Sequence, residues 1–123
     1  MILRQKHLDA FSGPHLREFE DFMVEHLNKW FPEQCNALGD AGTSRQIRAG
    51  VDRADDYGIV GRRDVCKFID LMFALGPKFD EDAAFPWAKR VLSDERLSPT
   101  EKVNRLVAAA LEHRRMTADT DAG

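Results

Sequence analysis

At 123 residues the chain has the size of one domain with a single contiguous core. It is 43% hydrophobic and 32% charged with a formal net charge of −3, which excludes a disordered chain and argues against a nucleic-acid binder with a strongly basic face. No apolar run approaches the ~18 residues that span a bilayer. The opening Met1-Ile2-Leu3-Arg4-Gln5-Lys6-His7 carries no signal-peptide apolar stretch, so a cytoplasmic location is expected.

A short amphipathic piece, Gln5–Phe11, ends at Ser12-Gly13-Pro14, a helix stop followed by a fresh start. The spacing then predicts a helix over Pro14–Phe31. At 100° per residue, Leu16, Phe19, Phe22, Met23, His26, Leu27 and Trp30 share one face, with Arg17, Glu18, Asp21, Glu25, Asn28 and Lys29 opposite. His26 falls inside the apolar arc. With no acid, thiol or hydroxyl partner recognisable from spacing, it reads as a hydrogen-bonded boundary histidine rather than a catalytic base.

Pro32 opens a short helical piece, Pro32–Leu38, closed by Gly39. Gly42-Thr43-Ser44 offers N-cap hydroxyls for the next helix, about Thr43–Tyr57. Its apolar face is narrow and built of small residues, Ile47, Gly50, Val51 and Ala54 with the edge of Tyr57, which permits close approach of another helix. Arg45, Arg48, Asp52, Asp55 and Asp56 form a self-neutralising outer side, and Gly58 suits the left-handed position that ends the helix.

The helix Arg62–Leu75 is different in kind. Beyond its first turn only Lys67 and Asp70 are charged, and they share one narrow stripe, so apolar side chains fill roughly 220° of the circumference. Such a helix must be covered on several sides, which makes it the centre of an all-α bundle of about five to six helices. Gly76-Pro77 terminates it, and Lys78–Pro86 reads as irregular. A short helix follows over Pro86–Leu92, and Ser98-Pro99-Thr100-Glu101 is a capping box opening the last helix, Pro99–Met116. That helix turns Val103, Leu106, Val107, Ala110 and Leu111 inward. The expected organisation is one helical domain, 1–116, and a flexible tail, 117–123.

Motifs that carry chemistry are not recognisable. There is no Gly-rich phosphate loop, HExxH, GxSxG or deaminase-type pattern, so no catalytic residue and no cofactor is expected. The two cysteines, Cys35 and Cys66, form no CxxC pair, and His7, His15, His26 and His113 are scattered, so spacing indicates no metal site. Both cysteines read as small buried hydrophobes. Asp80-Glu81-Asp82 lacks the alternating ligands and central Gly of a calcium loop and reads as a solvated acidic loop. Residues 43–75 resemble a helix-turn-helix superficially, but a recognition helix must expose polar side chains to the groove, and 62–75 is mostly apolar.

One block of the sequence is patterned beyond its periodicity. It comprises Phe31-Pro32-Glu33-Gln34-Cys35-Asn36-Ala37-Leu38-Gly39, then Arg53-Ala54-Asp55-Asp56-Tyr57-Gly58-Ile59, Arg63-Asp64-Val65, Leu71-Met72-Phe73-Ala74-Leu75-Gly76-Pro77-Lys78-Phe79-Asp80 and Pro86-Trp87-Ala88. In these motifs the chain resembles small helical proteins encoded beside the spike and effector genes of type VI secretion clusters. It is also similar to the helical C-terminal part of the adaptor-chaperones that load effectors onto the spike. The resemblance covers about Gln5 to Leu106 and consists of core and punctuation residues.

It implies a non-enzymatic cytoplasmic protein, an effector chaperone or co-chaperone, that binds an effector, adaptor or spike component, with no nucleic-acid and no membrane partner. The resemblance does not extend to the separate N-terminal domain of full-length adaptors, so it implies a co-chaperone or a stand-alone helper as the expected role. Such a helper needs an apolar patch, for which the candidate residues are Trp30, Phe31, Phe79, Phe85 and Trp87, aromatics that bury much area at small entropic cost. The same rings could instead pin the irregular segment to the central helix. An immunity protein is the alternative, with Asp80 and Asp82 presenting acid to a basic toxin, and a helix-turn-helix regulator stands behind it. An exposed apolar remainder would favour a homodimer.

Overall fold

The structure is a computed structural model that describes residues 14–122, with side chains from His15 to Thr117. The predicted piece Gln5–Phe11 lies outside the described residues. Within them the protein is all-helical: α1 (Pro14–Trp30), α2 (Pro32–Asp56), α3 (Arg62–Leu75), a 3₁₀ turn (Phe79–Glu81), α4 (Pro86–Leu92) and α5 (Pro99–Ala122). None of these helices is long and apolar enough to cross a membrane.

α3 sits at the centre, as its broad apolar arc demands, packing against α1, α2, α5 and the 3₁₀ turn. Val65, Phe68, Ile69, Leu71, Met72 and Phe73 are all buried. They meet Phe19, Met23 and Leu27 of α1, Ile47 and Ala54 of α2, and Val103, Leu106 and Ala110 of α5 in one continuous core. α4 adds Ala88 and Leu92. Each of the large side chains, fully buried, contributes on the order of 1.5–3 kcal/mol, so this cluster dominates stability.

The small-residue face of α2 does what small residues permit. A Cβ placed on Gly50 would lie 2.6 Å from Ile69 Cγ1 and 2.9 Å from Met72 Sδ, so only glycine lets α2 press this closely on α3. The end of α2 is a Schellman motif. Ile59 N–H donates to Ala54 O (2.9 Å) and Gly58 N–H to Asp55 O (2.9 Å), with Gly58 at φ 79° and Ile59 buried. At α5 the capping box forms reciprocally: Ser98 N–H donates to Glu101 Oε1 (2.8 Å) and Glu101 N–H to Ser98 Oγ (3.1 Å).

Some expectations need correction. The break after residue 38 is real, with Gly39 at φ 76°, ψ 170°, but the chain re-enters the helix at once rather than at Thr43. A single glycine in a conformation closed to other residues redirects the axis, and no separate loop is needed. Thr43 therefore lies inside the helix, and its buried hydroxyl has no hydrogen-bond partner instead of capping one. α5 continues in helical backbone to Ala122 where Met116 was the expected end. Phe22, Trp30 and Leu111 belong by the helical wheel to the inward faces of α1 and α5, yet all three are exposed. The covered arcs of these two outer helices are narrower than their apolar stripes.

Candidate functional site

Three features gather the chemistry-bearing side chains, and the first is a structural clasp. Arg53 and Tyr57 lie one turn apart on α2, so both reach toward the 3₁₀ turn. Arg53 Nη2 donates to both carboxylate oxygens of Asp80 at 2.6 and 2.7 Å, and Tyr57 OH donates to Oδ2 at 2.6 Å. Asp80 is only 1% exposed. Burial works against its charge, but the hydrogen bonds from Tyr57 and Arg53 outweigh it and hold the carboxyl below the ordinary aspartate range. Burial and the same carboxylate push the Tyr57 phenol well up. Phe79, fully buried, packs its ring 5.3 Å from that of Phe68.

Two of the candidate partner-binding residues are thereby committed to the interior. Asp80 is no part of a solvated acidic loop, and Phe79 anchors the turn to α3. Asp82 is exposed, and its carboxylate accepts the Ala84 N–H at 2.9 Å in a local turn.

The second feature is a groove of about 1040 Å³ between the end of α1, the outer stripe of α3 and the second half of α5. Trp30, Phe31, Phe73, Leu75, Phe85 and Leu111 supply its apolar lining, and His26, Lys67, Asp70, His113 and Arg114 its polar members. Phe31 rests against Phe73 at 5.7 Å between ring centres. Phe85 meets His113 edge-on at 5.0 Å, and Trp87 stands behind this pair, 5.8 Å from Phe85 and 6.5 Å from His113. The structure thus brings Trp30, Phe31 and Phe85 to one surface, with Trp87 supporting it, and takes Phe79 and Asp80 elsewhere. Gln34 closes the floor by donating from Nε2 to the Phe73 carbonyl at 2.7 Å, which satisfies one of the free carbonyls in the last turn of α3.

The third feature lies on one wall of this groove. His26 Nε2 is 2.9 and 3.1 Å from the two oxygens of Asp70, so the boundary histidine found its acid on another helix. Phe22 stacks on the His26 ring at 5.7 Å. Cys66, one turn before Asp70 on α3, faces the same place. Of the two cysteines Cys35 is buried, and Cys66 is only partly buried at the edge of the core, where it was expected to be enclosed. Burial and the neighbouring Asp70 carboxylate push the Cys66 thiol up to about 11. Burial likewise raises Asp70, with His26 opposing it.

Reading along the sequence overlooked His113, Arg114 and Leu111 as groove residues, because helical periodicity places Leu111 with the core. It also passed over Lys67 and Asp70, although a signal was present. They form the one polar stripe on an otherwise apolar helix, and that stripe is the groove wall. No family model, no curated protein and no solved structure matches the chain.

Proposed function

We propose that this protein is a non-enzymatic binding module whose groove between α1, α3 and α5 receives an amphipathic helix of a protein partner. The observation that carries this reading is the exposure of large apolar side chains at the groove, with Trp30 61% and Leu111 63% accessible. A volume of about 1040 Å³ reaches the upper limit of the ~300–1,000 Å³ usual for small-molecule pockets, and its walls are helices, the setting of helix-in-groove recognition. Asp70 is already paired with His26, so Lys67 and Arg114 leave the lining with basic character that suits acidic residues flanking an apolar stripe.

The resemblance of the sequence to type VI secretion helpers supplies the class of partner: an effector, an adaptor-chaperone or a spike component, bound in the cytoplasm before delivery. The role is that of an effector chaperone or co-chaperone. The alternative of an immunity protein loses its main motif, since Asp80 is held by Arg53 and Tyr57. The packing of α3 against three helices likewise leaves it poorly placed to enter a DNA groove.

The test is co-purification with the proteins encoded beside its gene, using the parent chain and Leu111→Arg. The exposed arginine is expected to leave the fold intact and to lower affinity for an effector, adaptor or spike component at least tenfold. If none of those proteins binds, or if Leu111→Arg binds as well as the parent, the reading is wrong. Rescue of cells from a co-expressed toxin would replace it with the immunity reading.

A further inference from the structure

We propose that His26, Cys66 and Asp70 form a three-ligand site for a borderline divalent transition metal, with zinc the best fit, whose remaining coordination position opens into the groove. Cys66 and Asp70 are one helical turn apart, so they project from the same face of α3, and His26 comes to meet them from α1. One ligand atom from each, a ring nitrogen, a thiol sulfur and a carboxylate oxygen, all lie within 4.8 Å of one another.

Zinc–ligand bonds of ~2.0–2.3 Å at tetrahedral angles place neighbouring ligand atoms roughly 3.3–3.7 Å apart. The present cluster needs only a modest adjustment to reach that. The direct His26–Asp70 hydrogen bond opens by a few tenths of an ångström from 2.9 Å, and ligand atoms that lie within 4.8 Å of one another need to draw in by at most about 1 Å. Coordination replaces that hydrogen bond with two bonds to the metal and releases the thiol proton of Cys66.

The donor set selects the ion. Calcium and magnesium take oxygen ligands, whereas one nitrogen, one sulfur and one oxygen suit zinc or cobalt. All three side chains are half-buried, dry enough to hold an ion and open enough to admit one. Three protein ligands with a fourth position free is the arrangement of open zinc sites. Because His26 and Asp70 line the groove, the free position faces whatever binds there: water in the unbound protein, or a donor side chain of a partner. The site itself does not depend on the identity of that partner.

The experiment is a titration of the full-length, reduced protein with cobalt(II), followed by displacement with zinc. A near-ultraviolet thiolate-to-cobalt charge-transfer band and strong visible bands of a four-coordinate ion are expected, saturating at one metal per chain. Cys66→Ser should abolish the charge-transfer band, and Asp70→Asn should weaken binding at least tenfold. Cys35→Ser, which alters the buried cysteine, should leave the spectrum unchanged. Zinc should raise the melting temperature of the parent and not of Cys66→Ser. Since serine is close in size to the partly buried thiol it replaces, circular dichroism of that variant should match the parent, so it decides the matter even if Asp70→Asn fails to fold. Absence of the charge-transfer band in the parent, or its survival in Cys66→Ser, would leave His26 and Asp70 as an ion pair and overturn the proposal.

Discussion

Gly50→Ala adds one methyl group at the closest approach of α2 to α3, and its sign is set by two opposing effects. Alanine is the better helix former by about 1 kcal/mol, which favours the variant. Against this, the new Cβ meets Ile69 Cγ1 at 2.6 Å and Met72 Sδ at 2.9 Å, whereas carbon atoms rest at ~3.5–4.0 Å. Met72 can turn aside, being unbranched. Ile69 cannot, because a β-branched side chain in a helix keeps one strongly preferred rotamer. Relief must come from separating the helices, and overpacking of this kind costs about 1–3 kcal/mol.

The gain of about 1 kcal/mol offsets part of that cost, so the variant should lose at most ~2 kcal/mol, or up to roughly 8 °C in melting temperature, measured by urea and thermal unfolding followed by circular dichroism. The exposed neighbour Ala49 provides the control. Ala49→Gly reports propensity alone and should lose about 1 kcal/mol. A Gly50→Ala variant more stable than the parent by the full propensity gain of about 1 kcal/mol would refute the close α2–α3 contact.

Other outcomes follow from the same geometry. Phe68→Ala removes a fully buried ring from the central helix and should cost about 3–5 kcal/mol, enough to leave much of the protein unfolded at 37 °C in a melting experiment. At Gly39, with φ 76° and ψ 170° and open space around the absent Cβ, alanine should cost ~1–3 kcal/mol through backbone strain alone. Asparagine should not rescue it, since that conformation lies outside the left-handed helical region that asparagine tolerates.

Asp80→Asn leaves Arg53 facing a neutral amide and should cost about 3 kcal/mol near neutrality. The folded state holds the Asp80 carboxyl below its ordinary value, so the parent's advantage is complete above the ordinary aspartate pKa of about 4 and disappears as pH falls through the lowered value. Unfolding curves for the two proteins should converge in acid, and a difference that persists there would contradict the clasp.

What could be read from the chain depended on whether the cause was local. The bounds of α3 and α4, the turn at Gly58 and the capping box at Ser98 follow from residues within a few positions of one another, and each was legible. So was the close packing at Gly50, because a narrow small-residue face announces itself by periodicity. The fate of Asp80 was not legible. Three consecutive acids look solvated, and nothing near them signals that Arg53 and Tyr57, far back in the chain, will enclose the first.

The His26–Asp70 pair is likewise a product of tertiary packing, its members separated by 44 positions in the chain. Periodicity also overstated burial on the two outer helices, and of the three residues it misplaced, Trp30 and Leu111 line the groove while Phe22 lies beside it, stacked on His26. The departure from a simple inward-facing stripe is what exposes the apolar side chains on which the proposed binding role rests, and sequence periodicity had merged it with the core.

Hydrogen exchange on the purified protein, with and without the effector, adaptor or spike component proposed as its partner, tests the binding account most directly. Protection confined to 26–34, 67–75 and 107–117 is the predicted footprint. Protection concentrated instead on the 3₁₀ turn and α4, with those three stretches unchanged, would contradict it.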